Sequence, residues 1–186
     1  MTQPKTALRS FILTFIDDDR PGLVQEIADI VTQHSGNWLT SRMTQLDGKF
    51  AGLARIDAPD ANAESLCSAL QGFAADRFIL SIEQIDAQQT PITERYELDI
   101  VGNDRPGIIH EVTRALANQQ LNVVDLSSDL TRAAMSGMPL FSCIAAIEVA
   151  QQLDLDTLQT QLTTIATDLD LDIQFAPATS KPVRGK

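Results

Sequence analysis

Two short turns carry the residue types that invite chemistry. Asp18 to Val24 reads DDRPGLV, and Asn103 to Ile109 reads NDRPGII. Each lies between an apolar, strand-like run and a run with helical spacing. A helix that opens here offers N–H groups with no partner inside the helix. Those amides and the positive end of the helix dipole attract an anion. Pro21 and Pro106 suit the first helical turn, where a φ of about −65° is already set. Gly22 and Gly107 leave the backbone bare, so a small molecule can approach. Asp19 and Asp104 have two readings. As caps they accept the first free amides. As ligand groups they face an ammonium while the amides hold a carboxylate, which together suit a free α-amino acid.

Two further pairs bear on that choice. Asn37 and Asn122 begin the next strand at the same place in each copy, a position expected beside the helix N-terminus. An Asn there offers both a donor and an acceptor to a zwitterion; its plainer role is that of a turn residue. Arg20 and Arg105 reach either an anion or a local carboxylate.

Other reactive residue types form no constellation. His34 and His110 are not equivalent in the two copies and suggest helix packing or surface roles. Cys143 shares strand parity with Phe141, Ala145, Ile147 and Val149, and Cys67 sits beside Leu66 and Leu70; both read as core thiols. Ser127, Ser128 and Asp129 lack a Gly-x-Ser-x-Gly elbow. Asp17 and Asp18 read as a solvated loop. No Cys-x-x-Cys or Cys/His cluster suggests zinc. No catalytic residue, metal or cofactor is therefore expected.

The elements that position the turns come from an internal repeat. Arg20 and Arg105 stand 85 positions apart, and that offset lays FILTFIDDDRPGLVQEIADIVTQHSGNWL over YELDIVGNDRPGIIHEVTRALANQQLNVV. Leu13/Leu98, Asp19/Asp104, Glu26/Glu111 and Asn37/Asn122 are identical pairs. A long period present twice means two copies of one small domain rather than a solenoid. Strands are expected at 8–16, 37–46, 50–58 and 78–82, then at 95–101, 121–131, 139–149 and 171–175. Helices are expected at 22–35 and 62–76, then at 107–119 and 154–169. Gly36 is the expected stop of the first. In the last, Leu155, Leu158, Leu162, Ile165 and Leu169 form the apolar stripe. The order βαββαβ, twice, is that of a ferredoxin-like α+β fold, with helices on one face of an antiparallel sheet. The domains are expected at 1–88 and 89–176, with 86–94 as linker and 177–186 as a fraying tail. From Asn122 to Phe141 the second copy takes 19 positions, against 13 from Asn37 to Phe50, so a longer loop is expected near 132–138. Leu140 to Ile147 is apolar on both faces, and so is Phe78 to Leu80, which calls for a cover on the second face or the edge of the sheet: the other copy, a second chain in a homodimer, or both.

This order, the Asp-Arg-Pro-Gly turn and the downstream Asn make each half resemble an ACT domain, a family of small regulatory modules that often bind amino acids. The resemblance spans 8–85 and 95–175. Two such domains and nothing else resemble the glycine cleavage system transcriptional repressor family. That likeness implies a non-enzymatic regulator that senses a small amino acid, glycine or similar. It would act through a protein partner, a DNA-binding transcriptional activator. The family's ligand loop maps to Asp19, Arg20, Pro21, Gly22 and Leu23 with Asn37, and to Asp104, Arg105, Pro106, Gly107 and Ile108 with Asn122. A regulatory subunit of an amino-acid metabolic enzyme is the alternative.

Composition agrees with that picture. Charged residues make up 21% and the net charge is −11, shared between the halves. Nucleic-acid binding needs Lys and Arg against phosphates, so direct contact with DNA or RNA is not expected. An anionic membrane surface would repel the chain too. The stretch MTQPKTALRSFILTF holds no apolar run long enough for a signal peptide, and no run suits a membrane span. The cytoplasm, with both thiols reduced, is the expected compartment.

Overall fold

The computed structural model describes residues 7–86, 93–132, 137–150 and 155–178. The chain divides between Gln89 and Thr90 into two compact units. The first holds β1 (Leu8–Asp18), α1 (Leu23–Gln33), β2 (Asn37–Leu46), β3 (Lys49–Pro59), α2 (Asp60–Ala74) and β4 (Ile79–Ile85). The second holds β5 (Thr93–Asn103), α3 (Ile108–Asn118), β6 (Asn122–Arg132), β7 (Pro139–Ala150), α4 (Leu155–Leu169) and β8 (Leu171–Pro177). The sheets run β2-β3-β1-β4 and β6-β7-β5-β8, antiparallel throughout. This is the ferredoxin-like order expected of the repeat.

Alternation builds each core. Phe11, Leu13 and Phe15 of β1 bury on one face, as do Tyr96, Leu98 and Ile100 of β5. Helix α1 meets its sheet through Leu23, Ile27 and Val31, and α3 through Ile108, Val112 and Leu116. That i, i+4, i+8 spacing keeps the side chains on one stripe. Two separate clusters result, and no polar side chain is among the buried residues described.

The cores differ at one equivalent crossing. Phe15 of β1 needs Gly52 of β3, since a Cβ there would lie 2.3 Å from the ring. In the second unit Ile100 and Cys143 fill the matching place, both buried. Cys143 thus lies in the core as expected, while Cys67 is half-buried against the first cluster. Burial pushes both thiols up from their ordinary values, the opposite of a reactive cysteine.

Several boundaries differ from expectation. Helix α2 starts at Asp60, two residues early, because Pro59 ends β3 and starts the helix directly. Strand β4 runs later than expected, from Ile79 to Ile85. The left-handed residue that stops α1 is Ser35, with φ 57°, not Gly36. Gly36 donates to Val31 O at 2.8 Å, and a Cβ on it would lie 2.8 Å from the Val31 side chain. Gln120, with φ 58°, ends α3 the same way. Leu155 opens α4 but is exposed, so the stripe begins at Leu158. Pro177 belongs to β8, and Ala178 donates to Arg95 O, so the tail starts later than expected. Linker residues 87–92, loop residues 133–136 and tail residues 179–186 lie outside the described residues.

Gly52→Ala should destabilise the chain by about 1–3 kcal/mol, because the ring of Phe15 has nowhere to go. Gly72→Ala, in open space on α2, should instead stabilise it by up to about 1 kcal/mol. Denaturant midpoints of the two variants check the contrast.

Candidate functional site

In both units a glycine, not an aspartate, occupies the N-cap. Gly22 has φ 94° and Gly107 φ 96°, in the left-handed region. Each glycine carbonyl accepts the first helical bond, from Glu26 N–H and Glu111 N–H, both at 2.9 Å. A cap is made by the side chain of the N-cap residue itself, and glycine has none. Accordingly no side chain caps α1 or α3. The capping expected of Asp19 and Asp104 does not occur, since both stand three residues too early. Their backbone N–H groups serve instead, donating to Gly48 O and Pro139 O. Pro21 and Pro106 precede the helices rather than sitting in their first turns.

The arginines hold the turns together. Arg20 donates through Nε to Asp17 at 3.2 Å and through Nη2 to Glu26 at 2.7 Å. Arg105 donates through Nη2 to Glu111 at 2.5 Å and to Leu169 O at 3.2 Å. Gly102 stands where the first copy has Asp17, so Arg105 turns to the carbonyl end of α4, where a cation is favoured. Of the two roles open to these arginines, the local ion pair is the one formed. Hydrogen bonding to Arg20 holds the Glu26 carboxyl below the usual range, and Arg105 does the same for Glu111. The repeat identity Glu26/Glu111 thus has a cause: each clamps its own turn.

Around the first turn the surface is concave. A cavity of about 300 Å³ is lined by Asp19, Arg20, Gly22, the first residues of α1 (Leu23, Val24, Gln25) and Phe50. Its size lies at the small end of ligand pockets. No atom lies within 4 Å of a Cβ built on Gly22. The Asp19 carboxylate has no partner among the described residues. Phe50, Val24 and Gln25 were not expected here. Phe50 stands opposite Asp17 where β3 pairs with β1, a long-range register that no local pattern in the sequence gives. Around the second turn the surroundings differ. A cavity of about 570 Å³ lies by Asn103, Leu140 and Asp170, and the Asp104–Ile108 turn does not line it.

The asparagines are not beside the turns. Asn37 pairs with Asp57, which stands opposite Ser10 near the start of β1, while the turn follows the end of β1 at Asp18. An 11-residue helix separates the two ends, about 16 Å of rise. Asn122, opposite Glu148, stands at the far end in the same way. The expected turn-plus-asparagine constellation therefore does not form within either unit. His34 packs its Nδ1 2.8 Å from Ile30 O, an intrahelical role. Among the described residues no cluster of His, Cys, Asp and Glu suits a metal, and no helix is long and apolar enough to cross a membrane.

Comparison with known proteins places this geometry in a family. The ACT domain model matches residues 9–84 and 98–176, so the chain belongs to the ACT domain family, in tandem. No curated relative matches it. An unknown protein from Galdieria sulphuraria is similar at 26% identity, with TM-score 0.81, over 93% of this chain and 100% of that one. A proposed glycine cleavage system transcriptional repressor is similar in fold at 20% identity, with TM-score 0.68, over 92% and 99% of the two chains.

The clamps predict an acid-side instability. Both glutamates titrate below their unfolded value of about 4.3, so their contribution is full above it and is lost as pH falls through the depressed folded values. The double variant Glu26→Gln/Glu111→Gln should flatten the fall of melting temperature between neutral and acid pH. Thermal melts across a pH series measure it.

Proposed function

We propose that the chain is a non-enzymatic regulator whose first turn binds a small free amino acid. The amides that open α1 take the α-carboxylate, and Asp19 faces the ammonium. The observation that carries this is the uncapped helix start opening on a small cavity beside an unpartnered carboxylate. The larger cavity near the second turn touches only its first residue, Asn103, and not the amides that open α3, so we read that turn as structure rather than as a second site. Small size favours glycine or a close relative. Occupancy favours one arrangement of the protein and so alters its contact with a partner. The full-length likeness to a proposed glycine cleavage repressor makes a DNA-binding activator of that system the partner of choice, in the cytoplasm. The acidic charge suits a protein contact better than a DNA contact.

Calorimetry with a panel of free amino acids tests the sensor. Glycine or another small amino acid should bind. Gly22→Val, which cannot hold φ 94° without strain, should abolish binding, while Gly107→Val should leave it. Binding by none of the panel, or loss on Gly107→Val alone, would refute the assignment. Affinity purification then separates the two partner classes: a transcription activator supports the regulator, a metabolic enzyme the subunit alternative.

A further inference from the structure

The first sheet carries its helices on one side only. Residues paired across antiparallel strands share a face, so the register gives the uncovered side. One row across it holds Arg55, Ile12 and Glu83, and the next holds Arg42, Leu53 and Thr14. A third holds Ile16 and Ile79. Leu53 is 49% exposed, Ile16 43% and Ile79 69%. Large apolar side chains gathered on one surface mark a contact face. Neither Arg42 nor Arg55 has a carboxylate partner among the described residues, and Arg55 Nε has neither access to water nor a hydrogen-bond partner.

Asp57, which accepts from Ser10 at 2.6 Å, and the Asp18–Lys49 pair share this face and already have partners; the remaining charges are arranged to complement a copy of the face. Arg42 and Arg55 lie on β2 and β3, and Glu83 lies on β4 at the opposite edge. A twofold axis running between two such sheets, parallel to the strands, keeps every row in place and lays β2 of one copy over β4 of the other. Arg42 and Arg55 then approach the partner's Glu83, twice over, while Leu53, Ile12 and Ile16 fill the centre. Sheets stack in this way about 10 Å apart, with strand directions within about 30°. The contact is isologous, as a closed dimer requires. We propose that the chain forms a twofold dimer through the uncovered face of its first sheet.

The second sheet, for which the apolar run Leu140 to Ile147 calls for a cover, supplies the contrast, because the strands beside that run put acidic residues on the same face. On its uncovered face Ile144 has Asp99 and Ser127 beside it, and Glu97, Asp125, Asp129 and Asp172 complete the surround. A copy set against this face would bring like charges together, which specific interfaces avoid.

Sedimentation velocity of the full chain over a concentration series tests the dimer. The wild type should sediment as a dimer, and Leu53→Asp should give a monomer with an unchanged circular dichroism spectrum. Arg55→Glu and Glu83→Arg should each raise the dimer dissociation constant about tenfold or more, and the double exchange should restore it. Ile144→Asp on the second sheet should leave the dimer intact. A wild type that stays monomeric at its highest soluble concentration overturns the proposal. So does a dimer that neither Leu53→Asp nor the single charge reversals weaken.

Discussion

A left-handed glycine at the head of the first helix of each unit is the constraint on which the rest depends. It lets the chain leave a strand and enter a helix within a few residues. It also removes the one side chain that could satisfy the opening amides. A glycine N-cap costs the helix only a few tenths of a kcal/mol relative to Ser, Thr, Asn or Asp. In return the helix start stays open, and its dipole faces whatever fills the space in front of it. The Arg–Glu clamp keeps that geometry fixed, since Arg20 joins the end of β1 to the first turn of α1. Arg20 therefore braces the turn and also lines the cavity in front of the opening amides.

Much of the architecture was legible from residues alone. The 85-residue offset exposed the duplication, and period-two and period-3.6 runs marked each element. What sequence could not supply was the local register of the turn. Asp-Arg-Pro-Gly reads as Asp cap and Pro first turn, yet the positive φ of Gly22 moves the helix start to Leu23. Gly36 looked like a left-handed stop because glycine tolerates that conformation. Ser35 adopts it instead, and Gly36 is required by its closeness to Val31. The asparagines were misplaced for a topological reason. A strand that follows a helix begins at the helix's far end, so an equivalent position in both repeats says nothing of nearness to the turn.

The two copies have diverged where their surroundings differ, not in the turn itself. Backbone angles at Gly22 and Gly107 agree closely, and both arginines hold a glutamate six residues on. Asp17 against Gly102 redirects the rest of the guanidinium. Phe15 over Gly52, against Ile100 over Cys143, shows the same volume divided differently across a strand pair. The uncovered sheet faces differ most, one apolar with complementary charges and the other acidic. Under the proposed function and the proposed dimer, the duplicated module keeps one turn for a ligand and gives one sheet face to assembly.

Amide NMR reports whether a small amino acid sits on the opening amides of α1. Titration of the isotopically labelled full chain with glycine, then with other small amino acids, follows Leu23, Val24 and Gln25 alongside Ile108, Ile109 and His110. Saturable shifts are expected at the first three amides and none at the second three. Shifts confined to residues away from Gly22, or an unchanged spectrum at saturating amino acid, would contradict that placement.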